Sequence, residues 1–255
     1  MTARYHVVTY ATHSQGMFPA LLNNRYDIHV NVLGWGQSWH GYTDKIQGVH
    51  DFCSRIPETD IVIFLDAFDT VINKHPDIAV AQFLKMQPLH GILVSVEKLH
   101  AMWPFYRRQF GENFLKCRIN PGMYMGYAGR LHRFLHRTLQ QATGDDQRAF
   151  NNCCEYVTRD TSTFIFHNIG VGFKTCPQVD HLAAAFVSFP GSGGCGSAAA
   201  RLAAYYHHKN SWMHQLSTIE LCGVLVVMIL ICALCRNAYK RMKPRQTFSS
   251  TMPKT

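Results

Sequence analysis

"DIVIFLDAFDT", residues 60–70, decides the fold. From Ile61 to Leu65 the run is apolar at every position, and two carboxylates, Asp66 and Asp69, follow it directly. A strand apolar throughout, rather than at every second residue, is covered on both faces, as inside a parallel α/β sheet. Asp is a favoured turn former where such a strand leaves the core. The same two acids, three residues apart on a turn, can also share one hard divalent cation through oxygen ligands.

Working outward, "YHVVTYA" (5–11) reads as a first strand leaving into the polar loop "THSQG", with a helical stretch around "MFPALLNNRY" behind it. "DIHVNVLGWG" reads as a second strand closed by glycines, with Ile28, Val30 and Val32 alternating. "YTDKIQGVHDFCSRI" spaces Ile46, Val49 and Phe52 as a helix does. "DIAVAQFLKM" reads as helix, "GILVSVE" as strand, and "TSTFIFHNIG" as a later strand. Strands alternating with helices predict a doubly wound α/β sheet, in which ligands sit at the carboxyl ends of the strands. "RINPGMYMGYAGRLHRFL" (118–135) places Asn120, Pro121 and Gly122 before an aromatic strand ending at Gly126 and leading into a helix. "FPGSGGCGSAAA" is a Gly/Ser-rich loop; no internal repeat and neither glycine-rich phosphate-loop motif is present.

With 255 residues, 47% of them apolar and 16% charged, the chain is long and apolar enough for a sizeable core. Its net charge of +9 is concentrated in "RNAYKRMKPR" (236–245), which holds five Lys or Arg, so the folded part is only mildly basic. No Arg-rich helix or aromatic-interleaved basic run reads as a nucleic-acid footprint, and nucleic acid is not an expected partner. The nine cysteines lack zinc-ribbon spacing; Cys53, Cys117, Cys176 and Cys195 allow disulfides whose pairing the spacing does not assign.

"LCGVLVVMILICALC" (221–235) is unbroken apolar sequence followed by the basic cluster. Extended to 217–236 it predicts a single membrane anchor with a polar tail over 237–255; a buried core helix is the alternative. Basic residues beyond it place the tail in the cytoplasm and the folded domain on the luminal side of an endomembrane. The N-terminal "MTARYHVVTYATHSQG" has no signal-peptide core, which favours a cytosolic domain on a tail anchor, so both topologies stay open.

"GDDQRAF" (144–150) adds a second acidic pair, Asp145 and Asp146. They suit a helix N-cap and first turn. They equally suit an acceptor site, as general base or as a positioner of a hydroxyl.

In order along the chain, "HVVTYAT", "VLGWGQSW", "DKI", "IFLDAFDT", "ILVSVE", "NPGMYMGY" and "DDQRAF" resemble the glycosyltransferase domain at the N-terminus of the procollagen lysyl hydroxylases, which is related to the collagen galactosyltransferases. The resemblance runs from about Tyr5 to Asn210 and implies a GT-A-type fold, a Rossmann-like mixed sheet flanked by helices, in a domain over 1–212. It implies a manganese ion and a UDP-sugar, with Asp66 and Asp69 as metal ligands. The family's third ligand is a histidine in an H-G-N context, matched by His208 in "YYHHKNSW", with His207 as the close alternative. Lys209 stands where the family has glycine and could face a diphosphate. By the same carry-over Thr9, Thr12 and Trp39 line the uridine pocket, Lys45 lies near the phosphates, and Asp145 and Asp146 are the acceptor-side acids. Pro121 and Met123 replace the family's small residues, which implies a differently shaped acceptor pocket.

The resemblance implies transfer of a hexose, glucose or galactose, from a UDP-sugar to an acceptor hydroxyl, hydroxylysine or galactosyl-hydroxylysine. No H-x-D followed by a distant His among jelly-roll strands is read here, so the hydroxylase half of those proteins is not expected. A second reading keeps the fold and discards catalysis, leaving a membrane-anchored nucleotide-sugar-binding or scaffolding protein.

Overall fold

The computed structural model describes residues 3–97, 110–142, 144–169 and 182–190, all within a compact unit spanning Met1–Ser217. The apolar run before Asp66 is strand β3, Ile61–Leu65, and all five of its residues are buried. β1 (Tyr5–Tyr10) lies parallel beside it, and β2 (Val30–Leu33) lies parallel to β1. On its other side runs β6 (Ile119–Tyr127), then β5 (Ile92–Val96) and the two-residue β7 (Thr158–Arg159). The sheet order is β2-β1-β3-β6-β5-β7.

Alternate side chains of β3 enter different cores, which is why no polar residue interrupts it. Val62 and Phe64 pack with Ile46 and Val49 of helix α2 (Tyr42–Cys53) and with Leu131, Phe134 and Leu135 of a later helix, α5 (Ala128–Gln140). Ile61, Ile63 and Leu65 pack on the opposite face with Ala79, Val80 and Phe83 of helix α3 (Pro76–Met86). Leu21 of the short helix α1 (Phe18–Leu22) joins that second core. Full burial of one such side chain contributes about 1.5–3 kcal/mol, so a single polar replacement in β3 would be felt on the scale of the whole domain's stability.

The sheet is mixed rather than purely parallel. β6 runs antiparallel to both β3 and β5, with Ile61 opposite Tyr127 and Leu65 opposite Met123. This is the mixed sheet that the family resemblance implies; periodicity reports which faces of a strand are covered, not its direction, so residue spacing carries no signal for it. Asn120, Pro121 and Gly122, expected ahead of this strand, lie inside it. A second sheet, in the order β4-β9-β8, joins β4 (Thr70–Ile72), β9 (Phe186–Ser188) and β8 (Phe166–Asn168). It clamps the chain immediately after Asp69.

Cys117, ending helix α4 (Asn113–Cys117), is disulfide-bonded to Cys154, in the turn after helix α6 (Asp146–Asn152). Cys53, one of the four candidates for pairing, is instead a free thiol in the core, as is Cys153. Burial pushes the Cys53 thiol up to about 12, which keeps it protonated and inert. No helix among the described residues is long and apolar enough to cross a membrane. The segment 217–236, the tail and most of the Gly/Ser-rich loop lie outside the described residues.

Candidate functional site

The carboxyl end of β3 is fixed by its antiparallel neighbour. Asp66 N–H donates to the Gly122 carbonyl at 2.7 Å, and Asp66 Oδ1 accepts from Ala67 N–H at 3.1 Å. Gly122 is required by close approach. A Cβ there would stand 2.8 Å from Asn120 Oδ1 and 3.6 Å from Asp66 Oδ2. The turn through Ala67 and Phe68 then delivers Asp69, whose Oδ1 accepts from Thr70 Oγ1 and Ser188 Oγ, each at 3.2 Å. Phe189 N–H donates to the Asp69 carbonyl at 2.8 Å, so the second sheet holds this acid from behind.

Lys45 arrives from the first turns of α2 and is buried, with its Nζ 3.1 Å from Asp66 Oδ2 and 2.7 Å from Asp146 Oδ2. Burial alone would lower its pKa, but the carboxylates of Asp146 and then Asp66 outweigh burial and hold the ammonium above the ordinary lysine range. Asp69 shows the opposite imbalance. Burial, and next the adjacent Asp66, push its carboxyl up to about 7, against the attraction of Lys45 and the hydrogen bonds from Thr70 and Ser188. Two oxygen-donor side chains on a rigid turn, one of them starved of positive charge, suit a hard divalent cation. Among the described residues no group of three His, Cys, Asp or Glu is gathered for a metal. The proposed third ligand, His208 or His207, lies outside them, as does Lys209.

A cavity of about 430 Å³ opens over these groups, lined by Lys45, Asp66 and Asp69 at its floor and by Thr12, Trp39 and Tyr42. Trp39 is half exposed and stands edge-on to Tyr42, with ring centroids 5.7 Å apart, so the mouth carries an aromatic wall. The loop bearing Trp39 starts at Gly34, whose positive φ of 73° and contact with the Tyr10 ring leave no room for a side chain. Lys45, Thr12, Trp39, Asp66 and Asp69, drawn from four separate stretches of sequence, therefore meet in one place.

Thr9 does not join them. It is fully buried and its Oγ1 donates to the Leu65 carbonyl at 2.7 Å, so it ties β1 to the end of β3 instead of lining the pocket. The acidic pair divides as well. Asp145 is the N-cap of α6, accepting from Arg148 N–H at 2.8 Å, and burial raises its carboxyl above the usual range. Asp146 is buried, its Oδ1 accepts from Gln147 N–H at 2.9 Å, and its Oδ2 faces Lys45.

Glu97, which closes "ILVSVE" at the end of β5, is a further acid beside these groups that its residue pattern did not single out. Burial raises its pKa against hydrogen bonds from Asn120 and Gln147. Asn120 Nδ2 donates to Glu97 Oε1 at 2.6 Å, while Asn120 Oδ1 accepts from Gly122 N–H at 2.7 Å. Asn120 and Gly122 thus link Glu97 to the strand that holds Asp66. A carboxylate at the carboxyl end of a sheet strand was the signal that could have identified it.

The sequence profile of the PLOD GT domain matches residues 2–169. Over 160 residues the chain is 27% identical to a multifunctional procollagen lysine hydroxylase and glycosyltransferase of Caenorhabditis elegans and 25% identical to procollagen-lysine,2-oxoglutarate 5-dioxygenase 2 of Mus musculus. These matches take in 55% of this chain and 21% of each relative, so the chain spans about a fifth of the length of the curated relatives it matches. Among solved structures it is similar to a glycosyltransferase involved in glycosylation of the major capsid of PBCV-1. The TM-score is 0.52 at 10% identity, over 80% of this chain and 98% of that one. That likeness concerns the fold, a GT-A-like mixed α/β sheet. With the profile covering most of the chain, and with its landmarks folded into one cavity, the chain belongs to the PLOD GT domain family.

Proposed function

We propose that this domain is a glycosyltransferase that takes a hexose, glucose or galactose, from a UDP-sugar and places it on an acceptor hydroxyl, that of hydroxylysine or galactosyl-hydroxylysine. The observation that carries the reading is the meeting of Lys45, Asp66 and Asp69 on the floor of one aromatic-walled cavity at the sheet's carboxyl edge. The uridine lies towards Trp39 and Thr12, and the diphosphate towards Lys45. A divalent cation, manganese by the family resemblance, would be held by Asp66, Asp69 and His208 or His207 and would supply positive charge to the leaving diphosphate.

This chain's own residues do the rest. The lysine ammonium, enclosed and already charged, stabilises negative charge as the bond between the anomeric carbon and the diphosphate oxygen breaks. A new bond forms from that carbon to the acceptor oxygen, and the hydroxyl proton passes to a carboxylate. Glu97 and Asp145 are the candidates for that carboxylate. Burial raises both above the usual carboxylate range, and Glu97 is joined through Asn120 to the strand that holds Asp66. We further place the domain over 1–212 on the luminal face of an endomembrane, held by an anchor over 217–236, with the 237–255 tail in the cytoplasm; protease protection of the tail tests that orientation.

Calorimetric titration with UDP and manganese, followed by a turnover assay on UDP-sugars, tests the function. Manganese-dependent UDP binding together with transfer supports it. Binding without turnover supports the scaffolding alternative, and absence of binding overturns both.

A further inference from the structure

We infer that Asp146 is a positioning residue of the donor site: it acts through Lys45, holding the ammonium at the cavity floor, and not on the acceptor hydroxyl. The inference rests on the donor-site reading above and gives the second acidic motif a different place in it.

Three observations support it. The Asp146 carboxylate is buried, and its Oδ2 has no hydrogen-bond partner among the described residues apart from the Lys45 ammonium it faces at 2.7 Å. Its other oxygen is fixed by Gln147 N–H, so the carboxylate is aimed before any ligand arrives. Finally, Lys45 and Asp66 line the cavity while Asp146 does not. A diphosphate entering the cavity meets Lys45 from the side of Asp66. Asp66 is therefore the partner Lys45 can exchange for phosphate oxygen, and Asp146 is the one it keeps.

A lysine needs such a partner. Its charge sits on a flexible four-carbon stem with freely rotating donors, so one hydrogen bond to phosphate defines its place poorly. A buried carboxylate behind it restricts the stem and reduces the ordering left to the ligand. With Oδ2 against the Lys45 ammonium and Oδ1 on Gln147 N–H, neither oxygen of Asp146 is left to take a proton from an acceptor hydroxyl.

The test compares UDP with uridine as calorimetric probes, in the presence of manganese, on wild-type, Asp146→Asn, Lys45→Met and doubly substituted protein. Asp146→Asn is expected to weaken UDP by about 10- to 100-fold, the usual scale for losing a group that orients a ligand-binding residue. Uridine, which has no phosphate, should change less than about twofold. On the Lys45→Met background Asp146→Asn should add nothing, because its effect runs through that ammonium. Asp146→Glu should recover part of the UDP affinity.

Equal losses for UDP and uridine would mean a general structural role and overturn the inference. So would additive losses in the double variant. Unchanged UDP affinity with lost transfer would return Asp146 to the acceptor side. If wild-type protein binds neither probe, the donor-site reading falls and takes this one with it. If wild-type binds UDP and Asp146→Asn binds it equally well, only this inference falls.

Discussion

Replacing Asp69 with asparagine should stabilise the free domain at alkaline pH while removing its response to a divalent cation. Asp69 is partly buried beside Asp66, and its carboxyl is raised from 3.8 to about 7. Below about pH 4 the group is protonated in both folded and unfolded chains, so its raised pKa has no effect on stability. Between about pH 4 and pH 7 the unfolded chain ionises it and the folded one resists, so stability falls as pH rises through that window. Above about pH 7 the penalty is constant. Three pH units correspond to about 4 kcal/mol at about 1.4 kcal/mol per unit. Solvent reaches part of the side chain and Lys45 compensates part of the charge, so we take about 1–2 kcal/mol as the recoverable amount. Asparagine keeps an oxygen for the hydroxyls of Thr70 and Ser188 and removes the charge that Asp66 repels. Calorimetric unfolding in EDTA should show Asp69→Asn melting about 3–6 °C above wild type at pH 8, with the gap closing towards pH 4.5. Manganese added at pH 8 should raise the melting temperature of wild type and leave the variant unmoved. A variant that melts lower at pH 8, or by the same margin at both pH values, would refute the claim that this turn holds excess buried negative charge.

Other consequences can be checked separately. The Cys117–Cys154 bridge closes a loop with a sequence separation of 37. Losing it through Cys117→Ser with Cys154→Ser should cost about 4 kcal/mol by chain entropy, read as a lower urea midpoint; a midpoint within error of wild type would show the bridge to be idle. Trp39→Ala should weaken UDP binding by about 1–3 kcal/mol, the worth of one base on an aromatic platform, and unchanged affinity would move the nucleobase elsewhere. Glu97→Gln should leave UDP affinity within about twofold while lowering transfer by about 10²- to 10⁴-fold, the range for loss of an acid–base group; a proportionate loss of UDP binding would instead tie Glu97 to the donor.

Where the sequence carried a periodic signal, it was legible. The unbroken apolar run of β3 correctly implies cover on both faces, because Val62 and Phe64 enter one core and Ile61, Ile63 and Leu65 the other. The two acids that end it, with Lys45, Thr12 and Trp39, do share a cavity. Thr9 misled for a local reason: on a strand with both faces covered, a threonine one residue short of the exit finds a backbone carbonyl, that of Leu65, before it reaches a ligand. The antiparallel course of β6 has no counterpart in residue spacing. Asp145 was readable as a cap from its neighbours alone, whereas Asp146 takes its meaning from Lys45, a partner set by how α2 and α6 meet over the sheet. Cys117 and Cys154 likewise pair because of where α4 and the turn after α6 end, which the spacing of cysteines does not encode.

The most direct test of the central claim is a screen of several UDP-sugars for transfer to hydroxylysine or galactosyl-hydroxylysine peptides, with and without manganese, on wild-type and Asp69→Ala protein. Wild type should show manganese-dependent transfer from at least one UDP-hexose, and Asp69→Ala should lose it. Transfer that persists undiminished in Asp69→Ala, or UDP binding with no transfer from any donor, would contradict it.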